Sequence, residues 1–145
     1  MKKLFIITDS YGTIIEARET KAQATKRAKE LTNEETGILY SAHPAKIAAM
    51  HLHGMRYWDK PNGNTYESTR LFIYFENGKK LVLCSPLAYG QDHQATAREL
   101  LTKYGFWNPK RHGNGSYPSL WRMLQDENIA MGETVGYYTK KEIER

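Results

Sequence analysis

Residues 55 to 75 read Met55-Arg-Tyr-Trp-Asp-Lys-Pro-Asn-Gly-Asn-Thr-Tyr-Glu-Ser-Thr-Arg-Leu-Phe-Ile-Tyr-Phe75, two strand-like runs around a Pro-Asn-Gly turn. Lys60 to Gly63 suits a type I turn, because Pro61 sets φ at the second position, Asn62 tolerates the third and Gly63 takes the left-handed conformation. Glu76-Asn77-Gly78-Lys79 follows at once and carries the Asn-Gly signal of a two-residue hairpin. The two turns predict a three-stranded antiparallel meander over 51–85, with strands near His51–Asp59, Thr65–Phe75 and Lys80–Cys84. Pairing Lys60 with Asn64 sets Trp58 opposite Tyr66, and pairing Glu76 with Lys79 sets Phe72 opposite Leu83. One face then holds Leu52, Trp58, Tyr66, Phe72, Tyr74, Leu81 and Leu83; the other holds Met55, Tyr57, Leu71, Ile73, Phe75, Val82 and Cys84. Two apolar faces call for cover on both sides, or cover on one and a binding surface on the other.

The rest of the chain supplies that cover. Leu4 to Thr8 and Thr13 to Ala17 predict a hairpin over 1–17, with Phe5, Ile7, Ile15 and Ala17 on one face. Thr20 and Gln23 form a Thr-x-x-Gln capping box for a helix from Lys21 to Leu31 that buries Ala24, Ala28 and Leu31. Its Lys21, Arg27 and Lys29 read as a solvated charged face, with a nucleic-acid contact as the other use. Ile38 to Tyr40 reads as a short strand and Pro44 to Met50 as a short helix with proline in its first turn. Helices are expected over 92–104, stopped by Gly105, and over 118–127, where Leu120, Met123 and Leu124 face inward. Thr134 to Thr139 reads as a closing strand and Lys140 to Arg145 as a polar tail. The expectation is one α+β domain over 1–145, an antiparallel β-meander and hairpins with helices packed mainly on one face.

Composition narrows the function classes. A formal charge of +5 among 145 residues permits nucleic acid or an acidic protein as partner and argues against mimicry of nucleic acid by negative charge. A single cysteine, Cys84, excludes an internal disulfide and a multi-cysteine zinc site, and its apolar setting reads as a buried hydrophobe. The apolar run Leu4 to Ile7 is far short of the ~7–15 residues of a signal peptide core. No stretch reaches the ~20 apolar residues of a membrane span, so a cytoplasmic protein without a membrane partner is expected.

Three groups of residues could carry function. Arg56, Trp58, Tyr66 and Arg70 share a meander face in this register, and arginines among aromatic rings can stack bases or anchor a protein. They can equally be a stabilising cross-strand pair with arginines laid on it. Lys110, Arg111 and His112, with Gly113 and Gly115, precede a helix start, where free N–H groups favour an anion; the same loop serves simply as an exposed connection. His51-x-His53 projects two imidazoles from one strand face, without a third ligand to complete a metal site. No nucleophile or cofactor motif is present, so neither catalytic residue, cofactor nor metal is expected. His93, His112, Glu67 and Asp59 could make an acid–base pair only if the fold brings them together. A metal-independent nuclease using His112 with Lys110 or Arg111 stays as a third reading, after a binding protein and a nucleic-acid-binding module.

Trp58-Asp-Lys-Pro-Asn-Gly-Asn-Thr-Tyr-Glu-Ser-Thr-Arg70, with Tyr89-Gly90 downstream, resembles a motif of short phage and prophage proteins without assigned function. The likeness covers about Met55 to Tyr104. It implies no catalytic residues. It implies a phage genome context, and so a small non-enzymatic protein that modulates a host or defence-system protein by direct binding.

Overall fold

The computed structural model describes residues 4–34, 37–89, 93–107 and 120–144. The predicted anion loop, Lys110 to His112, and the start of the helix after it lie outside the described residues. The chain is α+β, and the described residues form two sheets and four helices in the order β1 (Leu4–Asp9), β2 (Ile14–Arg18), α1 (Lys21–Glu34), β3 (Tyr40–Ala45), β4 (Ile47–Asp59), β5 (Asn64–Phe75), β6 (Lys80–Cys84), β7 (Ala88–Tyr89), α2 (His93–Lys103), α3 (Leu120–Asp126), β8 (Ala130–Tyr137) and α4 (Lys140–Ile143). No described helix is long and apolar enough to cross a membrane.

The smaller sheet has the order β2-β1-β3 and is antiparallel. A bulge between Ile7 and Thr8 sets Ile7 opposite Glu16 and Thr8 opposite Ile14. That extra residue overturns the expected face of the hairpin. Ile7 turns to α1 with Ala24, Ala28 and Leu31, while Ile14 and Ala17 join Leu4 and Ile6 in the main core. The α1 start is as expected, with Thr20 Oγ1 accepting from Gln23 N at 3.2 Å. Pro44 to Met50 is not a helix: it ends β3 and opens the 13-residue strand β4. The alanine-rich stretch has helix propensity, but pairing Ile47 and Met50 against Phe75 and Ile73 buries them, and burial outweighs propensity. Pro44 is tolerated because β3 is an edge strand.

The larger sheet has the order β6-β5-β4-β8, with β7 also pairing with β5; among the described strands only β4 and β8 run parallel. The meander is present, one residue out of the expected register at both turns. The first loop holds four residues, closed by Asp59 opposite Asn64, and Asp59 Oδ2 accepts from Asn62 Nδ2 at 2.9 Å. Tyr66 therefore faces Tyr57, not Trp58, and Leu52 faces Leu71. In the second loop Phe75 N donates to Lys79 O at 2.9 Å, so three residues, not two, make the turn. A two-residue type I′ turn needs positive φ at both centres, whereas here Gly78 alone takes it, at 86°. Each one-residue slip exchanges faces. Leu71, Ile73 and Phe75 thus join Met50, Leu52, Leu81 and Leu83 in the core, and Tyr66, Phe72 and Tyr74 turn to the other side.

α2 closes the core face through Ala97, Leu100 and Leu101. Its end is a Schellman cap: Phe106 N donates to Leu101 O at 2.8 Å and Gly105 N to Thr102 O at 3.2 Å, with Gly105 at φ 82°. Tyr104 O then accepts from Ala17 N at 2.8 Å, tying α2 to the small sheet. The closing strand starts earlier than expected, at Ala130, and the expected tail is α4, capped by a Thr139–Glu142 box.

Candidate functional site

The open face of the larger sheet is built by the odd positions of β4 from Ala49 onward and the even positions of β5; it is exposed toward its two ends and closed at its middle, where Met55 and Ser68 are buried and α4 contacts β4. Tyr57, Tyr66 and Tyr89 stand side by side across β4, β5 and β7, with ring centroids 6.4 and 5.9 Å apart. Tyr89, 68% exposed, is the most open of the three. Along β5 the same face carries Arg70, Phe72 and Tyr74, and β6 adds Lys80, Val82 and Cys84. Cys84 is exposed, against the expectation of burial, because the register slip moves it out of the core. Asp59, at the turn, is the only acid among the described strand positions of this face, so its strand charge is mainly cationic.

Two histidines sit beside Arg70. His51 Nε2 lies 2.9 Å and His53 Nδ1 2.7 Å from the same Thr134 Oγ1 on β8, and His53 Nε2 lies 2.9 Å from Tyr138 Oη. A hydroxyl has one proton, so between two neutral rings one nitrogen donates to Thr134 and the other accepts from it. Parallel pairing puts Gly132, Thr134 and Gly136 of β8 on this face. A Cβ at Gly132 would stand 2.7 Å from His51 Nδ1, and one at Gly136 3.0 Å from the Tyr138 ring. The glycines leave a bare trough in which His51 and Tyr138 lie against the strand. Burial lowers the His53 pKa from its usual 6.5, and the charges of His51, Arg70 and His93 lower it further, so His53 is neutral at pH 7.

The opposite face holds a buried polar cluster under α2. Glu67 Oε1 accepts from Arg56 Nε at 3.0 Å, and its Oε2 lies 3.4 Å from His93 Nε2. His93 Nδ1 meets Thr69 Oγ1 at 2.9 Å. His93 is 6% exposed, and Gly54 makes room for it, since a Cβ there would fall 2.5 Å from the ring. His93 Nε2 and Glu67 Oε2 face each other without a hydrogen bond of good geometry. This pins the first turn of α2 to β4 and β5.

The fold thus divides the expected partner patch. Tyr66 and Arg70 lie on the open face, while Arg56 and Trp58 lie on the other, Arg56 paired to Glu67 and Trp58 half exposed near the turn. It brings His93 to Glu67, one of the pairings the sequence left open, and keeps Asp59 at the turn with Asn62. His51 and His53 share a face as expected. Their link to Thr134 and Tyr138 was missed, although the Gly132-x-Thr134-x-Gly136 spacing signals a strand face that something approaches closely. No group of three or more metal-ligating His, Cys, Asp or Glu occurs among the described residues. Comparison of the chain with protein-family models, curated proteins and solved structures gives no match.

Proposed function

We propose that this protein works by binding, and that the open face of its larger sheet takes single-stranded nucleic acid. The observation that carries this reading is the row of Tyr57, Tyr66 and Tyr89, with Arg70 on the same face four residues along β5, past Ser68. Every base offers a π-face to a tyrosine ring, and a cation farther along the same face meets the phosphate backbone of a strand laid along it. The formal charge of +5 favours the same class of ligand. Titration of a labelled single-stranded oligonucleotide at several salt concentrations tests it. Affinity should fall as salt rises, and Arg70→Ala should flatten the slope by about 0.7 log units for a lost phosphate contact. Salt-independent or absent binding would end the reading.

A protein partner is the second reading, favoured by Phe72, Tyr74 and Val82 at the β6 side of the same face, where Tyr74 and Val82 are exposed. With a phage context, that partner is a host or defence-system protein. Capture from host lysate, with and without nuclease, separates the two: a partner kept after nuclease and lost with Tyr74→Ala supports the protein, and recovery of nucleic acid alone supports the first reading.

A further inference from the structure

We propose that His51 and His53 form a metal-independent acid–base pair that cleaves single-stranded RNA, with Arg70 as the cation that meets the scissile phosphate. The inference rests on the nucleic-acid reading and adds chemistry to it. Two imidazoles converge on one exposed hydroxyl, Thr134 Oγ1, at 2.9 and 2.7 Å, which marks a place where a hydroxyl is held between a proton donor and a proton acceptor. Tyr138 Oη on His53 Nε2, at 2.9 Å, fixes the ring from behind, the arrangement of a base held by an orienting group. Burial and nearby positive charge hold His53 neutral, the form a base needs.

RNA brings its own nucleophile. The 2′-hydroxyl displaces Thr134 from His53 Nδ1 and gives its proton to that nitrogen as the 2′-oxygen bonds to phosphorus. The bond from phosphorus to the 5′-oxygen breaks, and protonated His51 gives its proton to that oxygen. The products are a 2′,3′-cyclic phosphate and a free 5′-hydroxyl, and no co-reactant is consumed. Arg70, on the same face, stabilises the extra negative charge on the phosphorus oxygens. The tyrosine row beyond Arg70 holds the flanking bases. Tyr138 and Thr134 are positioning residues.

The test incubates a labelled single-stranded RNA, and the DNA of the same sequence, with the full chain in excess EDTA, and measures binding in parallel. The RNA should be cut to cyclic-phosphate ends and the DNA left whole, with a rate that rises and falls across the imidazole range. His51→Ala and His53→Ala should each lower the rate by about 100-fold or more. Tyr138→Phe, which keeps the ring in the trough, should slow cleavage and shift the acidic limb of the profile, the limb set by the base His53, while leaving RNA affinity unchanged. RNA that is bound and stays intact overturns the acid–base assignment alone. RNA that is not bound removes the nucleic-acid reading with it. Cleavage that survives in the folded double variant H51A/H53A also overturns the assignment.

Discussion

At the scale of single residues, glycines decide where the imidazoles can go. Gly54 lies under His93, and a methyl group there would enter the ring's space at 2.5 Å. Gly54→Ala should therefore destabilise the fold by ~1–3 kcal/mol, the cost of overpacking a filled site. In urea unfolding, combining it with His93→Ala should give less than the sum of the two single losses, because one partner of the clash is gone. Strict additivity would place the strain elsewhere. His53 gives a second residue-scale prediction. Its folded pKa is lowered, so the unfolded chain binds the proton more readily. Its stability contribution is present above its usual 6.5 and is lost as pH falls through the lower folded value. Unfolding measured between about pH 7.5 and 5 should show native stability falling with acid, and His53→Gln should flatten that fall. An unchanged slope would mean that other groups carry the acid sensitivity.

Among elements, α2 is the clamp between the sheets. Leu101 is fully buried in the core and Lys103, two residues on, is exposed. Leu101→Ala should cost ~2–5 kcal/mol and Lys103→Ala close to nothing, measured by denaturant unfolding. Equal effects would mean that the helix is turned. This helix and its Gly105 stop were legible because capping and the i, i+3, i+4 spacing are local signals. The strands were legible as elements and not as faces. Register depends on loop length, and both Pro-Asn-Gly and Asn-Gly suit loops that differ by one residue. The Asp59–Asn62 contact lengthens the first loop, and the need for positive φ at Gly78 alone lengthens the second. Each added residue moved Tyr66, Phe72 and Tyr74 to the side opposite the one expected. Pro44 to Met50 misled for another reason: its local helix preference yields to a partner strand some 25 residues ahead, roughly the spacing no local rule senses.

For the molecule as a whole, the two sheets share one core, in which Leu4, Ile6, Ile14 and Ala17 of the small sheet meet Met50, Leu52, Leu71 and Leu101. That core and α2 use one face of the larger sheet and leave the other to Tyr138, α4 and solvent. The same closure separates two polar groups that sequence spacing alone could not sort: Glu67 and His93 inside, His51 and His53 outside. The candidate site was half legible, since Tyr66, Arg70 and the His-x-His pair could be named from the chain, but Thr134 and Tyr138 reach them only through the parallel pairing of β8.

That the open face, and not the face carrying Trp58, takes the ligand is the claim on which the functional reading stands. The two faces are told apart by comparing Tyr66→Ala with Trp58→Ala, two aromatic residues of the meander on opposite sides of the sheet. Affinity for a labelled single-stranded oligonucleotide should fall about 5-fold to 100-fold in the first, the loss expected of one stacked base at ~1–3 kcal/mol. It should stay at the native value in the second, even though Trp58 is half exposed. Loss of binding in Trp58→Ala with none in Tyr66→Ala would contradict the account and move the site to the other side of the sheet.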